Sequence, residues 1–176
     1  MGKIFYTSDL HLGHLNIILY ENRPFTSIKD MEINLIERWN YVVDNSDDVY
    51  VLGDFALISS KYTIEDVNNV VKRLHGKKHL IIGNHDQWIK KKDVMPNLWE
   101  EITYYKEIRD NGKDVILMHY PIEEWNKQRY GAIHLHGHLH STPTILYQKQ
   151  RYNVGCDNWN YYPVTLETIL REGKLS

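Results

Sequence analysis

The sequence has very little cysteine and no long apolar run. Cys156 is the only cysteine among 176 residues, so an intramolecular disulfide is excluded and a reducing compartment is expected. No apolar stretch approaches the roughly 18 residues that a membrane span requires. A strand-like segment begins so close to the first residue that it leaves no room for a signal peptide. We therefore expect a cytoplasmic protein with no membrane contact.

A large excess of charge of one sign is also absent. The net charge is −2 and 25% of the residues are charged, so the composition gives no sign of bulk attraction to nucleic acid. The densest basic tract, 90–92, is most simply a solvated surface. No repeat or linker divides the chain, and its length suits one domain over residues 1–176. Histidine is the residue in excess, with 10 copies, several of them in short motifs.

The first half of the chain alternates between strand and helix patterns. Apolar residues recur at helical spacing over residues 30–44 and again from about residue 64, where Thr63 is a suitable N-cap and Gly76 a suitable stop. Short apolar runs at 4–6, 49–52 and 80–82 are typical of buried strands. Strand, helix, strand, helix, strand is the pattern of a parallel α/β sheet.

The second half is dominated by strand patterns. Residues 102–108, 115–119, 132–136 and 145–154 are predicted strands with little helix between them, and a last helix is predicted from 165 to about 172. These runs predict a second sheet that packs on the first. The expected fold class is therefore α/β, with two packed sheets.

Metal-binding side chains follow five of the predicted strands. In open α/β sheets, sites gather beyond the carboxyl ends of the strands, so such loops can converge on one place. Glycines that precede several of these side chains allow sharp turns at the strand ends. The residues are Asp9 and His11 after the first strand, Asp54 after the second, Asn84, His85 and Asp86 after the third, His119 at the end of the run 115–119, and His138 and His140 after the run 132–136.

The chemistry of this set suits two divalent transition-metal ions. Carboxylate, amide and imidazole groups accept manganese, iron or zinc, and the set contains no thiolate. Seven candidate ligands among these nine side chains are too many for one ion but suit two ions that share a bridging carboxylate. Two ions roughly 3.5–4 Å apart can activate a bridging hydroxide and neutralise a phosphoryl oxygen.

The order and spacing of these residues resemble the calcineurin-like metallophosphoesterase superfamily, in particular its small bacterial and phage members without a lid. The motifs of that superfamily are D-x-H, G-D, G-N-H-[DE], H and G-H-x-H, and all are present in order between Asp9 and His140. The resemblance implies a four-layer α-β-β-α sandwich, with two packed mixed β-sheets flanked by helices. It also implies hydrolysis of a phosphodiester or phosphomonoester by a metal-bridging hydroxide.

The resemblance gives each residue a role. His85 would assist the leaving group as a general acid or stabilise the phosphoryl charge. Asp86 could orient His85 by hydrogen bonding. The metal ligands would be Asp9, His11, Asp54 and His140 for one ion and Asp54, Asn84, His119 and His138 for the other, with Asp54 bridging.

Several residues near these motifs lie outside the superfamily's ligand set. His14, with Arg23 in the same loop, is predicted to face the substrate phosphate, the alternative being a turn or capping role for His14. Asn84 is a further candidate substrate contact. His134 and His136 alternate with the two later histidines, but Gly137 can break that alternation. We therefore expect these two to line a groove or pack.

Two other functions stay open at this stage. The stretch Asp9–Gly13 is similar to the first motif of the Mre11/SbcD-type nucleases of the same superfamily, which act on nucleic acid. The net negative charge of the chain, however, disfavours tight binding to the phosphate backbone of a nucleic acid. The retromer subunit with this fold is a scaffold that lacks part of the catalytic set. His85 is intact here, which argues against a role in binding alone.

The expected substrate is a small phosphoester, with a nucleotide or a cyclic nucleotide among the options. The ligand set does not choose between manganese, iron and zinc, because histidine and carboxylate accept all three. Nucleic acid is a less favoured partner, and a homodimer is compatible with the sequence.

Overall fold

Two β-sheets form the computed structural model, which describes residues 2–91, 93–142 and 150–172. The strands are β1 Ile4–Thr7, β2 Asp48–Val51, β3 Lys77–Ile81, β4 Glu101–Thr103, β5 Tyr105–Asp110, β6 Lys113–Met118, β7 Ile133–His136, β8 Arg151–Asn153 and β9 Val164–Thr165. The first sheet has the strand order β4-β3-β2-β1-β9, and the second has the order β5-β6-β7-β8. In the first sheet, strands β1 to β4 pair in parallel and β9 is antiparallel to β1. In the second sheet, β5 is antiparallel to β6, and the pairs β6–β7 and β7–β8 are parallel.

Within the described residues, four α-helices accompany the sheets: α1 Leu15–Tyr20, α2 Ile28–Val42, α3 Ile64–Arg73 and α4 Leu166–Glu172. The predicted cap of α3 is confirmed, because the Thr63 hydroxyl accepts from the Asp66 backbone and the Asp66 carboxylate accepts from the Thr63 backbone. Helix α2 begins two residues before the predicted 30–44 range, because Ser27 caps it. Within the described ranges, every helix is too short or too polar to cross a bilayer.

Alternation along the strands of the first sheet divides its side chains between two apolar clusters. Val49 and Val51 of β2 face α2 and α3, where they join Trp39 and Val71. The intervening residues of the first sheet face the second sheet. This second cluster contains Tyr6, Tyr50, Leu52, Ile81, Val115, Leu117, Ile133, Leu135 and, from α4, Leu166 and Ile169. The predicted fold class, two packed mixed sheets flanked by helices, is confirmed.

One predicted strand divides into two. The run 102–108 forms the end of β4 and most of β5, which belong to different sheets, with Tyr104 between them. The chain thus crosses from one sheet to the other within a single residue. The predicted strand 145–154 lies partly at 143–149, outside the described residues, and its described part forms β8.

Candidate metal centre

The Asp54 carboxylate lies at the centre of a group of imidazole rings. Its Oδ2 atom is 3.5 Å from His11 Nε2, 3.6 Å from His119 Nε2 and 4.0 Å from His85 Nε2. These residues come from loops that follow β1, β2, β3 and β6, of which the first three are parallel strands that end at the same edge of the first sheet. The convergence expected from the strand-end rule is therefore observed.

The candidate ligands form two clusters, the second of which contains Asp54, and a further group of His11, Asp54 and His85 overlaps both. The ligand atoms within each cluster lie within 4.8 Å of one another, and Asn84 Oδ1 lies 3.0 Å from His119 Nε2. The structure thus brings all seven predicted metal ligands together. One cluster contains Asp9, His11 and His140, and the other contains Asp54, His119 and His138.

The backbone of this site is strained. Five of the seven candidate ligands are non-glycine residues with a positive φ, which costs about 1–2 kcal/mol per residue for an L-amino acid. Strain of this kind persists where the surrounding structure fixes it and is concentrated at functional sites. The φ values are 58° for Asp9, 51° for His11, 53° for Asp54, 70° for His138 and 49° for His140.

Two glycines permit the close approach of these loops. A Cβ atom on Gly137 would lie 1.8 Å from Ser8 Oγ and 2.5 Å from Asp9 Oδ2. A Cβ atom on Gly83 would lie 2.3 Å from Asp54 Oδ1. The glycines of the G-H-x-H and G-N-H-D motifs are thus required because a side chain at either position would collide with the Asp9 or the Asp54 carboxylate.

Two imidazoles present free lone pairs to the centre. His11 Nε2 is buried and has no hydrogen-bond partner among the described residues. His119 Nδ1 lies 2.8 Å from the Leu52 carbonyl, and donation of its proton there leaves the Nε2 lone pair directed at Asn84 Oδ1 and Asp54 Oδ2. Lone pairs that point at one another without a donor between them fit a bound cation, and this arrangement fixes the ligand tautomer of His119.

The electrostatics of the site also favour a cation. Burial raises the pKa of Asp9 to about 7 and raises the pKa of Asp54 above its ordinary value. Burial lowers the pKa values of His11, His119 and His138, so these imidazoles are neutral near pH 7 and able to act as ligands. Two buried carboxylates with neutral neighbours are stabilised when positive charge is bound between them.

Asp157, which the sequence analysis did not identify, contacts the centre through His140. Its Oδ2 atom lies 3.1 Å from His140 Nδ1. Burial alone would lower the pKa of His140, but this hydrogen bond and the nearby carboxylates outweigh burial and raise it. Asp157 follows β8 by four residues, so the strand-end rule alone could have drawn attention to it; no motif marks it.

Arg23 does not reach the open face of the site. Its side chain is fully buried, with Nε 2.7 Å from Asp157 Oδ1, and it also donates to the carbonyl oxygens of Leu10 and Asp9. A guanidinium engaged in this way has no donor available for a substrate phosphate. The predicted substrate contact is therefore replaced by a structural one.

Asp86 has a different set of partners from the predicted one. Its buried carboxylate accepts hydrogen bonds from the backbone of Gly83, Asp54 and Phe55 and from the Trp88 indole. These contacts tie the loop after β2 to the loop after β3. Asp86 thus acts on the backbone that carries His85, and the described contacts of its carboxylate do not include the His85 ring.

His85 and His14 lie beside the metal cluster at the protein surface. The His85 side chain is 38% exposed, and its backbone N–H donates to Asp54 Oδ1 at 2.8 Å. The His14 ring is partly buried at the start of α1, with its Nδ1 atom 3.3 Å from His11 Nδ1 and its centroid 6.2 Å from that of His85. Both rings are thus available to a molecule that occupies the centre.

His134 and His136 are buried within β7. His134 Nδ1 lies 3.2 Å from the Ile116 carbonyl, and His136 Nδ1 lies 2.8 Å from the Gly137 carbonyl. Strand β7 ends at His136, and His138 has a positive φ, so the alternation along the strand is broken at this point.

Comparison with known proteins finds similarity over nearly the whole chain. No family model matches the sequence. The uncharacterized protein MJ1445 of Methanocaldococcus jannaschii is 35% identical over 176 residues, which cover 97% of this chain and 91% of that protein. The Gene 66 protein of Mycobacterium phage D29 is 28% identical and covers 91% of this chain and 90% of its own.

Two solved structures share the fold. The protein of unknown function AQ665 from Aquifex aeolicus has a TM-score of 0.75 and 25% identity, covering 98% of this chain and 100% of its own. The Pseudomonas putida nuclease MPE has a TM-score of 0.51 and 21% identity, covering 78% of this chain and 61% of that one.

Proposed function

We propose that the chain is a member of the calcineurin-like metallophosphoesterase superfamily, whose motifs it carries in order, and that it hydrolyses a phosphodiester or phosphomonoester with two divalent transition-metal ions. Asp9, His11, Asp54 and His140 would hold one ion, and Asp54, Asn84, His119 and His138 the other. Two ions bound there would supply an activated water and would neutralise negative charge on the phosphoryl oxygens.

One observation carries this proposal. Asp54 Oδ2 lies between the Nε2 atoms of His11 and His119, at 3.5 Å and 3.6 Å, and His11 Nε2 is buried without a hydrogen-bond partner among the described residues. Leaving a buried polar atom unpaired costs about 1–3 kcal/mol. His79 Nδ1, away from the centre, also has no partner among the described residues, so an unpaired nitrogen alone does not mark a ligand. The approach of His11 Nε2 and His119 Nε2 to one oxygen of Asp54 is what ions bound beside Asp54 would explain.

His85 is the proposed proton donor to the leaving oxygen. Its backbone is fixed by the hydrogen bond to Asp54 Oδ1, and its loop is fixed by the contacts of Asp86. Its ring stands next to His11, with centroids 5.1 Å apart, and is partly exposed. A positioned imidazole of this kind contributes about 10²–10⁴-fold when protonation of the departing alkoxide limits the rate.

The substrate is proposed to be a small phosphoester that also contacts His14 and Asn84. Asn84 is exposed beside the second cluster, and His14 is partly buried beside the first, so a phosphoester that spans the ions would meet both side chains. Nucleotides and cyclic nucleotides are the first compounds to test. Location in the cytoplasm and homodimer formation are part of the same proposal.

A nuclease is the second candidate. It is supported by the sequence Asp9–Gly13 and by the fold shared with the Pseudomonas putida nuclease. The net charge of −2 argues for few contacts with the nucleic-acid backbone. Cleavage of single-stranded nucleic acid that falls steeply with salt would show many such contacts and would favour the nuclease.

Metal loading followed by an activity panel tests both candidates. Protein stripped with a chelator and reloaded with manganese, iron, zinc or magnesium would be assayed on mono-, di- and cyclic phosphoesters and on single-stranded DNA and RNA. We expect Asp54→Asn to lose metal and activity, and His85→Ala to lose activity while it keeps metal.

Asp48 and His79 provide matched controls. They pair with each other at 2.8 Å at the other end of β2 and β3, so Asp48→Asn and His79→Ala test the loss of the same residue types away from the centre. Unchanged rates in both Asp54→Asn and His85→Ala would contradict the mechanism.

A further inference from the structure

A buried ion pair lies behind the Asp9–His11–His140 cluster. Arg23 Nε donates to Asp157 Oδ1 at 2.7 Å and Arg23 Nη2 donates to Asp157 Oδ2 at 2.9 Å, and both side chains are almost completely buried. A bidentate pair of this type has a strictly fixed geometry. The same guanidinium donates to the carbonyls of Asp9 and Leu10 at 2.8 Å and 2.9 Å.

The pair connects to the metal centre through a single imidazole. Asp157 Oδ2 accepts from His140 Nδ1 at 3.1 Å. With the proton on Nδ1 held by a carboxylate, the Nε2 lone pair of His140 is available on the other side of the ring. Carboxylates in this position fix the tautomer and orientation of a ligand histidine and increase its basicity.

The backbone around these residues is held by the same carboxy-terminal segment, residues 153–158. The side-chain amides of Asn153 and Asn158 donate to the His140 carbonyl at 3.0 Å and 2.7 Å. The Cys156 backbone N–H donates to the Ser8 carbonyl at 2.9 Å. Segment 153–158 therefore joins the loop after β1 to the loop after β7.

The second cluster is supported differently. His119 Nδ1 is paired with a backbone carbonyl, that of Leu52, at 2.8 Å. A neutral carbonyl fixes the tautomer but supplies no charge. The two halves of the centre thus differ: His140 is hydrogen-bonded to the buried Asp157 carboxylate, whereas His119 is hydrogen-bonded to a neutral backbone carbonyl.

We propose that Asp157 is a positioning residue that selectively strengthens metal binding by the Asp9–His11–His140 half of the centre, with Arg23 as the brace that holds Asp157 in place. This inference rests on the proposed two-ion function. It also gives a role to Arg23, which the sequence alone placed at the substrate.

If Asp157 had a purely structural role, its removal would have a different effect, and an experiment can distinguish the two roles. Removal of Asp157 leaves the Arg23 guanidinium buried without its counter-charge, and this destabilises a protein whether or not it binds metal. Removal of both charges eliminates that penalty. It does not restore the acceptor for His140 Nδ1.

The test is calorimetric titration of the metal-free protein with Mn²⁺ alone, together with urea unfolding of the metal-free form. For Asp157→Leu we expect one of the two Mn²⁺ ions to bind about 10–100-fold more weakly, because that is the usual effect of losing such a partner. The other ion should bind with nearly unchanged affinity. Asp157→Asn should show a smaller loss, because its amide oxygen can still accept from Nδ1.

The double variant Arg23→Met/Asp157→Leu separates the two roles when it is compared with Arg23→Met alone, which loses the donors to the Asp9 and Leu10 carbonyls but keeps the acceptor for His140. We expect the unfolding midpoint of the double variant to recover toward wild type while its weaker Mn²⁺ site stays weak. Recovery of Mn²⁺ affinity together with stability would overturn the proposal. Asp110→Asn is the matched control, since Asp110 is a buried carboxylate that accepts from the Tyr6 hydroxyl at the far end of β5; its Mn²⁺ binding should equal that of wild type.

Failure of this inference can be distinguished from failure of the proposed function. Wild-type protein that binds less than one Mn²⁺ and cleaves no phosphoester would contradict the proposed function and, with it, this inference. Wild-type protein that binds two ions and is active, while Asp157→Leu titrates identically, would overturn only the role of Asp157.

Discussion

The Asp86 carboxylate accepts a hydrogen bond from the backbone N–H of Asp54 at 2.8 Å, across two separate loops. The same carboxylate accepts from the backbone N–H groups of Gly83 and Phe55, both at 2.9 Å. Burial raises the pKa of Asp86 above its ordinary value. One buried carboxylate thus fixes the loop that carries Asp54, the central candidate ligand, to the loop that carries Asn84 and His85.

Removal of the Asp86 carboxylate should therefore affect both stability and activity. Asp86→Ala leaves three backbone N–H groups and the buried Trp88 indole N–H without their acceptor, and we expect a loss of about 2–5 kcal/mol in the free energy of unfolding. Asp86→Asn should also destabilise, since its amide nitrogen would face donors. Urea unfolding and a phosphodiester assay measure the two effects, with the exposed Asp93→Ala as control. Wild-type stability of Asp86→Ala would contradict this role.

The effect of His85→Ala should depend on the leaving group. If His85 protonates the departing oxygen, the variant loses about 10²–10⁴-fold on an alkyl phosphoester, which has a poor leaving group. On a p-nitrophenyl ester the loss should be below about tenfold, because p-nitrophenolate departs without a proton. Metal content should match wild type in both cases. An equal loss on both substrates would show that His85 acts in another way.

Gly137→Ala should disrupt the centre by displacing Asp9. The new Cβ atom would lie 2.5 Å from Asp9 Oδ2 and 1.8 Å from Ser8 Oγ, so one of the two loops must move. We expect loss of at least one Mn²⁺ ion in titration and loss of activity. Gly112→Ala is the control: its Cβ atom meets nothing within 4 Å, and its φ of 77° costs only about 1–2 kcal/mol. It should keep its metal.

Much of the centre was predictable because its ligands are attached to strand ends. Each motif is local, and the parallel pairing of β1, β2 and β3 brings their ends together without further information. The N-cap at Thr63 was predictable because it, too, depends on residues close together in the sequence. Local patterns determine such features, so the sequence predicts them.

Other features depend on contacts between distant residues. Asp157 contacts Arg23 across 134 positions, and no periodic pattern records that contact. The run 102–108 has the composition of a strand throughout, but composition does not show that its two halves pair with different sheets. The position of Arg23 near His14 in the sequence predicts a substrate contact, whereas Asp157 sets the orientation of its side chain in the fold.

His14→Ala should weaken substrate binding and leave the metal in place. The His14 ring contacts those of His11 and His85, and burial lowers its pKa, so it meets a phosphoester as a neutral imidazole at pH 7. We expect a KM increase of about 3–10-fold from the loss of one hydrogen bond, with unchanged Mn²⁺ content. Asn16→Ala, on the exposed face of α1, is the control. Unchanged KM and kcat would remove the substrate role.

Acid should destabilise the metal-free protein in part through His134. Burial lowers the pKa of His134 to about 4 from the ordinary 6.5, so the unfolded chain takes up a proton at a pH where the folded protein does not. The contribution of this group to stability is complete above pH 6.5 and is lost as the pH falls toward 4. The loss is up to about 3 kcal/mol at 1.36 kcal/mol per unit.

Comparison of His134→Gln with wild type isolates this contribution. Asp9 titrates in the opposite direction, because its raised pKa stabilises the metal-free fold as the pH falls below about 7, and it is present in both proteins. We expect the free energy of unfolding of His134→Gln, measured with urea in the presence of a chelator, to fall less between pH 6.5 and pH 4. A variant with the same pH slope as wild type would show that His134 titrates normally in the folded protein.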